Sequence, residues 1–238
     1  EMLPVACQLF DDYWAMSMAM VERIGSWGDD EPTYYLASTQ ANKPRFNSCE
    51  LRVMGPDGEE RASFAPSEFD TYLEFHETEY SYAGSTTYQG EIMRANSLAR
   101  INLAENLGTP RANEYLKRFT TSFGKPAHPI MLFDLCRGIE LVYAMERCIE
   151  MLSEDLNYID PKVGYTPRDG IGYGLVEAPR GPLIHRYVVE NGLIADAQFI
   201  IPTVHNMRAI ERALNVAGKR YISPTAINTE LENAVGRV

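Results

Sequence analysis

Positive charge is scarce in this chain. Lysine and arginine together number 22 against 33 acidic residues, a formal net charge of -11. No basic stripe exists to neutralise phosphates, so nucleic acid is not an expected partner, and neither is an anionic membrane surface. Long apolar runs are missing as well. None approaches the roughly eighteen residues a spanning helix needs, and the first residues do not read as a signal peptide. Cysteine is sparse. Cys7, Cys49, Cys136 and Cys148 form no C-x-x-C motif, so no zinc or iron–sulfur site is expected within the chain. Cys136 and Cys148 fall in one apolar segment. A continuous helix would hold them about 18 Å apart, beyond disulfide reach. Buried free thiols in a reducing cytosol are the expectation.

What is present suffices for a core. Hydrophobic residues make up 45% of 238, enough for one large domain or two small ones. We expect residues 1–238 to form part of a single domain. The chain starts with Glu1, and Asn228–Val238 reads as a helix without a terminating signal. Both ends suggest a piece of something longer.

The pattern along the chain is mainly α with small antiparallel β hairpins, an α+β class. Residues 3–25 read as an amphipathic helix stopped near Gly25, and 26–48 as a polar connection. Residues 50–65 form a hairpin insertion around Gly55-Pro56-Asp57-Gly58. Residues 67–90 hold the loop-like stretch YSYAGSTTY. Residues 94–121 give two helices broken at Gly108-Thr109-Pro110, with Thr109 as N-cap and Pro110 in the first turn. Residues 129–153 are apolar on most faces, which predicts a buried helix carrying Arg137, Glu140 and Glu146. A glycine-rich run then leads into a second β insertion at 173–201, turned at Asn191-Gly192. The last helix follows, capped by Thr203 or Asn206 and ending at Gly218.

The stretch EAPRG, Glu177–Gly181, raises the chemical question. Pro179 stiffens the chain and Gly181 permits close approach, so Arg180 is held on a rigid turn. Its guanidinium suits an anion or a ligand rich in lone pairs. A structural ion pair with Glu177 or Asp169 is the competing role. The stretch IPTVHN is similar in kind: Pro202 enters a turn and the N–H groups from Thr203 onward point out of a helix start. Both stretches flank the hairpin 182–201, so its pairing brings them side by side. A small electron-rich ligand is expected between them. His185 is a candidate site residue or a satisfied buried histidine, and His205 is a second candidate lining residue or a solvated histidine near the helix start. His76 and His128 carry no pattern.

These residues resemble the large, catalytic subunit of nickel–iron hydrogenases. The likeness is sharpest at 173–206 and extends over about 50–217. Within that family it resembles the multimeric cytoplasmic group of methanogens, which feeds electrons to F420 or to a heterodisulfide reductase. The resemblance implies a hydrogenase large-subunit fold and a nickel–iron centre carrying cyanide and carbonyl ligands. It implies that Arg180 lies over the metals, with Ala178, Pro179, Pro202 and Thr203 against the cyanides. Glu177, His185, His205 and Asn206 would stand behind them. An iron–sulfur small subunit is the implied partner. The cysteine ligands of the family sit in two C-x-x-C motifs, and neither occurs here. The expectation is therefore that this chain supplies no metal ligand of its own and is active only with the cysteine-bearing segments. A metal-free scaffold descended from such a protein is the alternative. Two positions depart from the family pattern: Asn96-Ser97 replaces Gly-Pro before Leu98-Ala99-Arg100, and Arg186 replaces a second histidine.

Overall fold

The computed structural model describes residues 2–40, 43–44, 50–79, 81–154 and 164–222. Cys49 and the helix expected at Asn228–Val238 lie outside them. Helix α1 spans Met2–Ile24. It buries Ala6, Phe10, Trp14 and Ser17 at helical spacing and stops where Gly25 turns left-handed at φ 72°.

Strand β1, Tyr34–Gln40, follows inside the segment expected to be a connection. It is buried on both faces. Tyr35 and Ala37 join the helical core, while Leu36 packs with Leu51 and Val53 in a second cluster. The polar run Ser38-Thr39-Gln40 hides its strand character from sequence patterning. The short β2, Lys43–Pro44, pairs antiparallel with the end of β1. Strands β3, Leu51–Met54, and β4, Glu60–Phe64, pair antiparallel, and β3 also pairs with β1. A short helix α2, Phe69–Tyr72, leads to β5, Glu74–Thr78, and β6, Ser81–Thr87. These form a hairpin where a loop was expected. Its register shifts between His76 and Thr78, and Gly84 takes φ 66°, so alternation along the sequence is broken.

Strand β7, Met93–Arg94, runs parallel to β1. The helices α3, Ser97–Leu103, α4, Pro110–Phe123, and α5, Leu132–Leu152, complete the helical half. Helix α3 is wholly buried, with Asn96 accepting from Leu98 N at 3.0 Å as its cap. Thr109 occupies the cap position of α4 but its hydroxyl is buried without a partner among the described residues. The buried Glu146 carboxylate does the capping instead, accepting from Arg111 N at 2.9 Å and Ala112 N at 3.0 Å. Helix α5 is only half buried. Leu135, Cys136, Ile139 and Val142 face the core, while Leu141, Ile149, Met151 and Leu152 are exposed. Cys148 is likewise exposed, against the expectation of a buried thiol.

The second β insertion is three-stranded rather than a simple hairpin: β8, Gly170–Ala178, β9, Gly181–Glu190, and β10, Leu193–Ile200. Asn191 and Gly192 both take positive φ, 53° and 74°, as the tight turn between β9 and β10 requires. The base of this sheet is anchored by Ile184 and Ile200 in the second cluster. A 3-10 turn, Pro202–Asn206, leads into α6, Met207–Tyr221, which continues past Gly218. Among the described residues no helix is long and apolar enough to cross a membrane.

Candidate functional site

Two tight turns meet at the base of the three-stranded sheet. The first is Ala178–Gly181. Ala178 pairs with Gly181, so Pro179 and Arg180 occupy the turn between β8 and β9. The second is Pro202–Asn206. The pairing Ile184↔Ile200 between β9 and β10 draws the two together, as the hairpin logic predicts.

Asn206 ties them. Its amide nitrogen donates to Arg180 O at 2.7 Å and to Pro202 O at 3.1 Å, and its oxygen accepts from Ala95 N at 2.9 Å. Its side chain is spent on these backbone groups, so it is not the side-chain cap of α6 that the sequence suggests. Gly181 is required by close approach. It takes φ 130°, and a Cβ there would meet Ala95 O at 2.1 Å. Three segments, around Ala95, Arg180 and Asn206, thus share one point.

His205 is wholly buried beside them. Its Nε2 lies 3.1 Å from Pro182 O and must donate to it. Nδ1 then accepts from the Thr86 hydroxyl at 2.9 Å. Burial holds its pKa down, to about 4, although the bond to Pro182 pulls the other way. The ring is neutral at neutral pH and acts as a strut. His185 is half buried on the other face of β9 from Ile184. It contacts the Tyr187 hydroxyl at 3.1 Å and the Phe199 ring edge-on at 4.7 Å. The structure does not bring it to the two turns.

Glu177 is 3% exposed and does not pair with Arg180. It accepts from Ser38 N at 2.8 Å on β1 and from Arg100 Nη1 at 2.8 Å on α3. Burial pushes its carboxyl up, to about 7, against the pull of the Arg100 charge and the Ser38 N–H. Asp169 is engaged with Gly192 N at 3.1 Å. Arg180 therefore makes no ion pair among the described residues, and it is exposed together with Pro179. Ala178, Pro202 and Thr203 are partly exposed around it.

Sequence reasoning missed Arg100, which is 1% exposed. It read this position only through the unusual Asn96-Ser97 before it. Burial pulls its guanidinium pKa down, but the carboxylates of Glu140 and Glu177 overcome that and hold it above the usual range. It stays charged. Arg94 and Asp29 form a second buried pair at 2.8 Å, joined by Arg212 at 2.8 Å. An open hollow of about 490 Å³ lies elsewhere, lined by residues such as Asn106, Leu116 and Lys125, and contains none of the predicted site residues.

As a donor set, the exposed guanidinium of Arg180, unpaired among the described residues, and the N–H of Thr203 suit a small ligand with lone pairs, since Pro202 has no N–H and Val204 N donates to Ile201 O at 3.1 Å. Among the described residues no group of three or more histidine, cysteine or acidic side chains could hold a metal ion.

Residues 38–217 match the family model described as nickel-dependent hydrogenase. The chain belongs to this family. Among hydrogenase relatives, a component of the F420-non-reducing hydrogenase vhu of Methanococcus voltae is 36% identical over 194 residues, covering 79% of this chain and 46% of that protein. Its counterpart in Methanocaldococcus jannaschii is equally similar, with the same coverage. The alpha component of sulfhydrogenase 1 from Pyrococcus furiosus is 30% identical over 192 residues, covering 76% and 42%. The chain spans about half the length of the curated relatives it matches. Among solved hydrogenases, an NAD+-reducing nickel–iron enzyme in its H2-reduced state superposes with a TM-score of 0.77 at 21% identity, over 99% of this chain and 55% of that one. The fold is therefore that of the hydrogenase family, and the expected α+β class holds.

Proposed function

We propose that this chain forms the hydrogen-bond-donating side of a nickel–iron site in a hydrogenase that oxidises or produces dihydrogen. The observation that carries this reading is the junction of the two turns, with Arg180 exposed and unpaired among the described residues beside the Pro202–Asn206 turn. The residues fit the group as donors to its ligands, not as ligands to its metals. When bound, the centre supplies heterolytic splitting of dihydrogen. Arg180 places a fixed positive charge where charge separates, worth most where water is excluded. When the centre is bound, Ala178 and Arg180 would lie against one of its cyanide ligands, and Pro202 and Thr203 would flank the other. Glu177, His205 and Asn206 hold those turns in place, while His185 contributes to the outer face of the sheet. The cysteine ligands come from outside the 238 residues.

The relatives carry names of single components of F420-non-reducing hydrogenases, which supports work in a multi-component complex. An iron–sulfur partner takes the electrons onward in the cytoplasm. The same names, which call those proteins F420-non-reducing, speak against F420 as the carrier.

The test uses the complete complex. Nickel and iron are expected in it, and Arg180→Lys is expected to retain both while lowering kcat per nickel by roughly 10²-fold. A complex without nickel overturns the reading and leaves a scaffold. Unchanged turnover in the lysine variant removes Arg180 from the chemistry.

A further inference from the structure

Among the described residues Arg180 has no partner for its side chain, yet its backbone is clamped on both sides. The carbonyl of Arg180 accepts from Asn206 at 2.7 Å. The two carbonyls before it are held by Arg100, whose Nη1 donates to Ala178 O at 3.1 Å and Nη2 to Pro179 O at 3.0 Å. A peptide plane is rigid, so tying its carbonyl fixes the plane. The planes 178–179, 179–180 and 180–181 are all tied. The backbone angles of Arg180, and with them the direction of its Cα–Cβ bond, follow from the last two.

The clamp is itself fixed. A guanidinium has five N–H donors in a planar fork, and Arg100 uses all of them. Nε and Nη2 engage the two oxygens of Glu140, and Nη1 also reaches Glu177 at 2.8 Å. With carboxylates on two edges, the fork cannot rotate without breaking charge-assisted bonds. Glu177 is in turn tied to β1 through Ser38 N at 2.8 Å. Helices α3 and α5 and strand β1 thus converge on the turn through one buried side chain.

We propose that Arg100, oriented by Glu140 and Glu177, is the positioning residue that aims Arg180. This rests on the reading that Arg180 faces a nickel–iron centre. A lysine at 100 keeps the charge but has three donors on one atom. It cannot hold both carboxylates and both carbonyls. The turn would loosen while the metal-binding parts stay intact.

The experiment compares the complete complex with its Arg100→Lys variant by turnover, infrared spectroscopy of the cyanide stretching bands, and amide hydrogen exchange. The variant is expected to keep its nickel and the KM for dihydrogen, to lose kcat on the order of 10²-fold, to shift a cyanide band, and to exchange faster at the amides of Arg180, Gly181 and Leu183. Ile101→Val, in the same helix but in the hydrophobic core, is the control. It is expected to lower stability while leaving turnover per nickel, the bands and that exchange unchanged. Parent-like turnover, bands and exchange in Arg100→Lys would overturn the positioning role and leave the role of Arg180 standing. A parent complex lacking nickel and cyanide bands overturns the functional reading instead, and the exchange data then decide separately whether Arg100 clamps the turn. If Arg100→Lys does not assemble, Glu140→Gln, at the 17% exposed rim of the network, carries the same three readouts.

Discussion

His205 shows how a single buried residue couples the site to pH. Its folded pKa of about 4 lies below the ordinary histidine value of 6.5 because its environment excludes water. The unfolded chain takes up a proton below 6.5, whereas the folded chain resists until about 4. This contribution to stability is present above 6.5 and lost as pH falls toward 4, amounting to about 3 kcal/mol. Glu177 acts with the opposite sign. Its carboxyl is raised to about 7 from 4.5, so its contribution is present below 4.5 and lost as pH rises through 7. The difference between parent and variant is therefore the diagnostic. His205→Gln is expected to be less stable at neutral pH but to lose less further stability between pH 6.5 and 4. Urea midpoints measured across that interval check it, and parallel curves for the two proteins would exclude the titration of His205. The sequence suggested His205 as a lining residue. Its actual role as a neutral strut depends on Thr86 and Pro182, which no local pattern connects to it.

At the scale of elements, α1 and α5 pack through an absent side chain. A Cβ at Gly138 would sit 2.3 and 2.4 Å from the Phe10 ring carbons. Gly138→Ala gains helix propensity but overpacks this contact, and the second effect wins because the ring is buried among Trp14 and Tyr115. A net loss of about 1–3 kcal/mol is expected. Combining it with Phe10→Leu is expected to cost less than the two single changes added, measurable as a coupling in denaturant midpoints. Both helices were legible from periodicity, as was the β9–β10 hairpin from Asn191-Gly192. Strand β1 was not. Burial on both faces removes the alternation that marks a strand, and its polar end, Ser38-Thr39-Gln40, imitates a loop. The β5–β6 hairpin was hidden by its register shift and by Gly84. Thr109 is the N-cap of α4 as the sequence indicates, but the carboxylate that accepts from the first N–H groups, Glu146, comes from another helix and no local pattern shows it.

Over the whole molecule, the metal question turns on what the chain does not carry. Its described residues offer no cluster of metal-ligating side chains, and the chain covers 46% of each of the two vhu relatives. The 238 residues, purified by themselves and exposed to nickel, are expected to keep well below one nickel per chain through gel filtration. Elemental analysis checks this, and a retained stoichiometric ion would show that a ligand set exists within the chain after all. The complete complex serves as the comparison, since there the same analysis is expected to find nickel and iron.

The sequence by itself determined the family, the α+β class and the meeting of the Arg180 and Pro202 turns. Each rests on residues close in the chain or on a hairpin whose register a tight turn sets. Only the tertiary structure decided which groups hold those turns. Arg100 is 40 positions from Glu140 and 77 from Glu177, and Asn206 is 111 from Ala95. A buried charge is stable only when its partners complete the set of bonds that water would otherwise make, and those partners are chosen by packing, not by spacing along the chain.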